Sequence, residues 1–404
     1  MEKKVKIIKY TNRYRTLKNV ILFSKLSKII SILSLFIIYV LYFHINKIFY
    51  EEKNIYNYVH VAVNIDNKYI YPCIVYITSL LENKADSTFY IIHILTGDDI
   101  NKDVFTKVKA TIEKFAPNSA NVSFYNMKDQ FKRAIHGRFI STADYYKIAL
   151  PSVLPNVSRV IFTDADVITF KDLNEMYNIK LGKKIYYCGA LDHGSFVNEI
   201  KHYFHIVIDK YINAGILLMN LEEIRNDGIE NKLRNFIDSH FLNHHDQTAI
   251  NAVCYNNTQV LPYKYSSFAF DSYEKIVKFN NEHTEEYRFN ESELQQAFYS
   301  PTIIHFPGYV KPWDKDCKKI RKAYWWYYAK LSLFYQEILD HYGFNNEEVE
   351  EILNQIPKEG SLIRKIRKKN DNKIVKKKIN NNLLKIIISL VALNIIIFFI
   401  YIIN

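Results

Sequence analysis

Through the middle of the chain, short apolar runs alternate with amphipathic stretches. The runs YVHVAVNI (58–65) and FYIIHIL (89–95) are short and rich in β-branched and aromatic residues, so each predicts a strand. Between them, YPCIVYITSLLEN (71–83) reads as a helix. Residues 101–115 place Val104, Phe105, Val108 and Ile112 on one helical face. VSFYNM then reads as a strand, the stretch around TADYYKIALPSVL as a helix, and RVIFT as a further strand. Strands that are apolar almost throughout, alternating with helices, predict an α/β fold: a Rossmann-like, mostly parallel sheet flanked by helices on both faces. Ligands of such sheets bind at the carboxyl ends of the strands.

The pattern changes at both ends. Between Lys28 and Lys47 lie 18 residues, 29–46, that are almost all apolar. As a helix they span about 27 Å, close to the ~30 Å hydrocarbon core of a bilayer. No small-residue cleavage site follows, so the segment reads as an uncleaved membrane anchor. Residues 386–404 (IIISLVALNIIIFFIYIIN) read as a second membrane segment, with Asn394 its one strongly polar interior residue. Charge sharpens the picture. The chain has a formal net charge of +12, but residues 1–50 carry ten basic residues against Glu2, and 358–404 carry eleven against Glu359 and Asp371. The middle is therefore net acidic. An acidic centre with basic ends fits membrane flanks and argues against a nucleic-acid partner. The two segments disagree about sidedness: the first places the central domain outside, the second inside, and its side stays open.

The expected organisation is a basic flank (1–28), an anchor (29–46), a linker (47–57), a central α/β domain (58–315), a helical extension (316–357), a polybasic segment (358–385) and the second membrane segment (386–404). Within the extension, CKKIRKAYWWYYAKLSLFYQEIL (317–339) is a basic, aromatic helix that could lie on lipid headgroups or pack on the core. Cys73, Cys188, Cys254 and Cys317 are scattered, without a C-x-x-C pair. They read as reduced thiols in or near the core. There is neither a G-x-G-x-x-G nor a Walker loop to cradle phosphate.

The chemistry begins at RVIFTDADVITF (159–170), where an apolar strand runs into Asp164 and Asp166. Two carboxylates at i and i+2 at a strand end can converge on a divalent cation, and oxygen ligands suit Mg2+ or Mn2+. Such an ion can bridge a diphosphate. D-x-D alone also fits a solvated turn, or the nucleophile of a haloacid-dehalogenase-like phosphatase. Three motifs follow in order: YINAGILLMN (211–220), HHDQTAINAV (244–253) and IIHFPGYVKPW (303–313). With the D-x-D they cover about residues 58–315 and resemble glycosyltransferase family 8. That family comprises retaining enzymes of GT-A fold that use nucleotide-sugars. Lipopolysaccharide galactosyl- and glucosyltransferases belong to it, as do glycogenin-like proteins.

The resemblance implies roles for individual residues. Asp164, Asp166 and His305 correspond to the metal ligands, holding Mn2+ or Mg2+, with Asp164 also touching the ribose. Asp66 corresponds to the contact with the uracil edge and Tyr69 to the ring that stacks on the base; Lys68 stands where the family usually has Asn. Lys147 takes the place of an arginine that reaches the diphosphate, keeping the charge but not the bidentate fork. Gly308 lets the backbone approach the diphosphate, and Lys311 neutralises it. Asn213 contacts the donor sugar, with Ala214 and Gly215 keeping the backbone close. Asp192, Asp246 and Gln247 correspond to groups on the sugar hydroxyls, with Gln247 near the anomeric carbon on the face opposite the departing diphosphate. The implied reaction is metal-dependent transfer of a hexose, from UDP-galactose or UDP-glucose, to a hydroxyl of a glycan or lipid-linked glycan, with retention. Two alternatives accompany it: a membrane-tethered nucleotide-sugar-binding protein without transferase activity, and a D-x-D phosphatase.

Overall fold

Val61, Ala62 and Val63 are consecutive and all fully buried, the mark of a strand covered on both faces. They belong to β1 (Asn57–Ile65). The computed structural model describes residues 56–132 and 142–356, together with Phe36, Tyr39 and Phe43. β1 stands near the middle of a seven-stranded sheet of order β3-β2-β1-β4-β7-β6-β8. The other strands are β2 (Thr88–Thr96), β3 (Ala120–Asn126), β4 (Val160–Thr163), β6 (Tyr187–Leu191), β7 (Ile212–Met219) and β8 (Thr258–Val260). β3, β2, β1 and β4 run parallel, and β6 runs parallel to β8. β7 is antiparallel to both of its neighbours, β4 and β6. The sheet is thus mostly parallel, as the apolar pattern predicts, with one reversed strand.

That reversal positions the site. Because β7 opposes β4, with Thr163 paired to Ile216, its first residues reach past the carboxyl end of β4. The Asp164 N–H donates to the Gly215 carbonyl at 2.7 Å. A second, three-stranded sheet adds to this edge: β5 (Val167–Thr169), β10 (Ile303–His305) and β9 (Ser267–Phe268), in the order β5-β10-β9. β10 pairs antiparallel with β5, His305 opposite Val167, and the Phe306 N–H donates to the Asp166 carbonyl at 3.0 Å. This small sheet carries His305 to the aspartates from far along the chain.

One expectation is revised and one open alternative is decided. The helix expected around TADYYKIALPSVL is a 3-10 stretch, Thr142–Ala149, followed by a four-residue helix, Leu150–Val153. Pro151 explains the break: it has no N–H to continue a helix from the residues before it, but it fits a first turn. The tight 3-10 winding buries Tyr145, Tyr146, Lys147 and Ile148 in succession. In the extension, the aromatic segment packs on the core rather than presenting itself to headgroups. Trp325, Trp326 and Tyr328 of the helix Lys322–Leu331 are fully buried. The Asn83 amide donates to the Tyr328 hydroxyl at 2.7 Å and to the Thr169 carbonyl at 3.0 Å, tying the extension to β5. Helices Tyr335–Tyr342 and Asn346–Asn354 complete it.

All four cysteines are free and buried, and burial pushes the thiols of Cys73, Cys188 and Cys254 up to about 12. The expected membrane segments 29–46 and 386–404, like the flanks 1–28 and 358–385, lie outside the described residues apart from Phe36, Tyr39 and Phe43. Among the described residues, no helix is long and apolar enough to cross a membrane.

Trp326 is fully buried and donates its indole N–H to the Pro312 carbonyl at 3.0 Å, just beyond the loop that carries Lys311. Trp326→Ala is expected to cost roughly 3–5 kcal/mol through the cavity and the orphaned carbonyl. Urea unfolding of the full chain measures it, and a loss below about 1 kcal/mol contradicts the packing described here.

Candidate active site

Asp164, Asp166 and His305 each offer one ligand atom, and these atoms lie within 4.8 Å of one another. His305 Nε2 is 3.3 Å from Asp166 Oδ1 and 3.9 Å from Asp164 Oδ2. Adjacent ligands of an octahedral ion with bonds of about 2.1 Å stand about 3 Å apart, so the three fit a small divalent cation after slight contraction. Two further features agree. Asp166 Oδ1 is buried without a hydrogen-bond partner among the described residues. A Cβ at Gly215 would come within 2.5 Å of His305 Cε1 and 2.7 Å of Asp164 Oδ2, so the cradle exists because that position has no side chain. Among the described residues His305 Nδ1 is also buried without a partner, so none of them gives its ring the usual outer hydrogen bond of a metal-bound histidine.

Lys311 closes this corner. Its ammonium lies 2.5 Å from Asp166 Oδ2 and donates to the Phe306 carbonyl at 3.1 Å. Burial alone raises a carboxyl group, but Lys311 and His305 outweigh it and hold Asp166 well below the usual range. Asp164 moves the other way. Burial raises it, Lys147 opposes, and Asp166 adds to the rise. The two aspartates thus occupy unequal environments only two residues apart.

Asp192, Asn213 and Gln247 form a second corner, one strand further along the sheet. The Asn213 amide donates to Asp192 Oδ2 at 2.7 Å and to Gln247 Oε1 at 3.1 Å. Gln247 Nε2 donates to Asp192 Oδ2 at 3.0 Å, and Gln247 Oε1 accepts from the Ala214 N–H at 2.9 Å. A backbone N–H only donates, so this last bond fixes which way the Gln247 amide points. Asn213 Oδ1 in turn accepts from the Gly215 N–H at 2.9 Å. Asp192 Oδ1 accepts from the His193 N–H at 2.7 Å, and the Asp192 carbonyl accepts from His283 Nε2 at 2.7 Å.

Asp246 is adjacent to Gln247 in sequence but faces another partner. Lys147 Nζ lies 2.8 Å from Asp246 Oδ2 and 3.4 Å from Asp164 Oδ1, and donates to the Ala214 carbonyl at 2.9 Å. Its side chain is only 4% exposed, and its ammonium lies over the Phe162 ring. Burial disfavours the charge, yet Asp164 and Asp246 more than offset it and raise the lysine. Lys147 therefore acts first on carboxylates, linking the metal-type corner to Asp246. Beside it, His245 Nδ1 lies 3.4 Å from Asp144 Oδ2, with His245 in a left-handed conformation at φ 44°. Burial lowers His245, but Asp144 outweighs that and leaves it above its ordinary value.

Asp66 and Tyr69 stand at the end of β1. Asp66 Oδ1 accepts from the N–H groups of Lys68 at 2.9 Å and Tyr69 at 3.2 Å, so it caps its own turn. The Tyr69 ring packs edge-on against Trp313 at 5.9 Å. Gly308 has φ 89° and nothing within reach of a Cβ, leaving its backbone open. The motifs gave no sign of the crowding at Gly215, the Phe162 face under Lys147, the Asp144–His245 pair or the His283 bond to Asp192. The glycine two residues after Asn213 was the one available cue.

Known proteins share sequence and shape with this chain. A family model described as Glycosyl transferase family 8 matches residues 60–317. General stress protein A of Bacillus subtilis is 24% identical over 68% of this chain and 94% of its own. Glycosyltransferase GlyF of Streptococcus pneumoniae is 24% identical over 72% of this chain and 68% of its own. A crystal structure of the galactosyltransferase LgtC in complex with donor and acceptor sugar analogs superposes with a TM-score of 0.56, at 18% identity, over 68% of this chain and 96% of that one. The likeness in shape identifies the α/β architecture as GT-A-like, with its mostly parallel central sheet flanked by helices.

Gly215→Ala is expected to weaken Mn2+ binding by about 10–100-fold, because its methyl group displaces Asp164 and His305. Titration followed by electron paramagnetic resonance measures this; wild-type affinity refutes the cradle. A second expectation concerns pH. A histidine raised in the folded state stabilises below its unfolded value, and that contribution fades as pH climbs through the folded value. Asp144→Asn should therefore lower the melting temperature more at about pH 6 than at about pH 9. Equal losses at both pH values overturn the pairing.

Proposed function

The chain belongs to glycosyl transferase family 8 and is a glycosyltransferase, and on that premise we propose that it moves galactose or glucose from a UDP-sugar to a hydroxyl of a glycan or lipid-linked glycan, with divalent-metal dependence and retention at the anomeric carbon. Family membership sets aside the phosphatase, and UDP-sugar turnover separates the transferase from a nucleotide-sugar-binding protein without activity. The observation that carries the proposal is the Asp164–Asp166–His305 group at the carboxyl edge of the central strands. Bound there, Mn2+ or Mg2+ would supply Lewis-acid charge to the leaving diphosphate.

The chain's own residues do the rest. Lys311 brings a second positive charge to the same corner, a compact one suited to a phosphate oxygen. Lys147 is sealed by Asp164, Asp246 and the Ala214 carbonyl, so its part is to hold those groups in register. Asp192, Asn213 and Gln247 form a preorganised polar wall for sugar hydroxyls. Gln247 Oε1 already accepts two hydrogen bonds, and an amide oxygen so engaged is a poor nucleophile. This supports front-face substitution. The acceptor oxygen bonds to the anomeric carbon as the bond to the diphosphate oxygen breaks, and the acceptor proton passes to the departing phosphate. Asp66 and Tyr69, at the end of β1, are our candidates for the uracil edge and face. The apolar segments 29–46 and 386–404, with their basic flanks, support a membrane-borne acceptor.

The test is UDP release by the full chain with Mn2+ across a panel of UDP-sugars, with the product anomer read by NMR. Release from UDP-galactose or UDP-glucose is expected, with α-linked product. Asp166→Asn should reduce the rate by about a hundredfold or more. Inactivity with every donor, or a fully active Asp166→Asn variant at ordinary Mn2+, overturns the proposal.

A further inference from the structure

His245 has no role in the chemistry above, yet it stands directly before Asp246 and Gln247, at the start of the helix His245–Val253. Its φ of 44° lies in the left-handed region, which a residue with a Cβ rarely enters. Among the described residues, no side chain caps this helix start. His245 instead reaches across to the 3-10 stretch Thr142–Ala149. Its Nδ1 lies 3.4 Å from Asp144 Oδ2, and its ring stands edge-on to Tyr145 at 6.2 Å. Its Nε2 is buried without a partner among the described residues, so among them Asp144 is the ring's one polar contact.

Asp144 and Lys147 are three residues apart on a 3-10 turn, so they stand one above the other on the same face. His245 and Asp246 meet them in matching order: Asp144 pairs with His245, and Lys147 with Asp246 at 2.8 Å. Two rungs of opposite polarity thus join the two elements. Successive residues of an α-helix project about 100° apart, so consecutive side chains do not ordinarily meet one partner face. The left-handed turn at His245 lets both do so. The inner rung is sealed, with the Asp246 side chain 9% exposed and that of Lys147 still less. The outer rung is open to solvent, with His245 23% and Asp144 43% exposed.

We propose that Asp144 and His245 are a positioning pair for the transfer, holding the first turn of the helix so that Gln247 stays against Asp192 and Asn213. Gln247 is one residue past the inner rung and makes the wall's bonds to the Asp192 carboxylate and the Ala214 N–H. A turn that loosens at His245 moves Gln247 with it. The outer rung is strong while His245 carries its charge. Burial lowers His245, Asp144 and Asp246 raise it, and Lys147 opposes them, with the balance above the ordinary histidine value. While His245 is protonated, Asp144, Lys147, His245 and Asp246 balance in charge. Once pH climbs through its folded value, one negative charge is uncompensated and the tie to Asp144 weakens. The part in transfer rests on the transferase reading above; the tie itself rests on the geometry.

Turnover and local stability of the full chain with Mn2+ test it together. The wild-type kcat for UDP-sugar turnover should fall along an alkaline limb as His245 loses its proton. Asp144→Asn should move that limb to lower pH. His245→Asn keeps a residue tolerant of the left-handed turn; it should remove the limb and lower kcat about tenfold at about pH 7. UDP alone does not reach the wall, so its affinity should stay within about twofold of wild type in both variants. Amide exchange read by mass spectrometry at a single pH should quicken in the peptide covering 245–253 of Asp144→Asn, and stay unaltered in β1 and β2. An alkaline limb that neither variant moves overturns the proposal, as does unaltered exchange at 245–253. Loss of UDP affinity in step with turnover also overturns it, because that is damage to the whole site. Quickened exchange in the variant, without turnover by the wild-type chain, refutes the transferase reading and supports the tie.

Discussion

The hydrogen bond from the Asp164 N–H to the Gly215 carbonyl, 2.7 Å long, is the join on which the site depends. It exists because β7 runs against β4, so that the beginning of one strand meets the end of the other. A parallel strand in that place would bring its own carboxyl end to the site and would require a crossover connection. The reversed strand instead delivers Asn213, Ala214 and Gly215 in sequence. Asn213 braces Asp192 and Gln247, Ala214 offers its carbonyl to Lys147 and its N–H to Gln247, and Gly215 leaves space for Asp164 and His305. Three consecutive small or polar residues thereby serve three different corners. Such economy leaves little tolerance for added volume, since packed surroundings yield only at a cost.

Charge is the second constraint. Asp164, Asp166 and Asp246 gather within reach of Lys147 and Lys311. Each buried ion costs several kcal/mol of lost hydration, which only close pairing and further hydrogen bonds repay. Lys147 joins two carboxylates and Lys311 holds the third, while His305 stands between the aspartates. The result is a field organised before any substrate arrives, which is the form of electrostatic assistance that needs no rearrangement during reaction. It also separates the two lysines in kind. Lys147 is enclosed on all its polar contacts, whereas Lys311 sits on the loop beside the open backbone of Gly308.

Much of this was legible before any coordinates. The central strands announce themselves because both faces are apolar, and the D-x-D motif, NAGILLMN, HDQ and HFPG carry the site's residues in order. The small sheet was not legible: strands of two or three residues, such as Ser267–Phe268, give no periodicity to read. Nor was the 3-10 stretch, where Pro151 overrides a helical pattern. For Lys147 the sequence offers a charge but no partner, so its burial against Asp246 emerges only once α/β topology brings residues 147, 214 and 246 together. The Trp-rich segment 317–339 illustrates the opposite ambiguity. Aromatic and basic residues suit a headgroup surface and a core equally well, and the full burial of Trp325 and Trp326 decides for the core.

The wall opposite the metal-type corner limits the chemistry available there. Asp192 is held by three donors, the His193 N–H, the Asn213 amide and the Gln247 amide. A carboxylate so solvated by fixed dipoles is a weakened nucleophile. Gln247 must stay neutral in this arrangement. Its Nε2 meets the Asp192 carboxylate and its Oε1 meets a backbone N–H, whereas a carboxylate at 247 would place two negative charges face to face. Neither group is therefore poised to form a covalent bond to sugar. What remains is orientation, charge at the leaving group and exclusion of water, which suit the proposed attack of an acceptor from the side the diphosphate leaves.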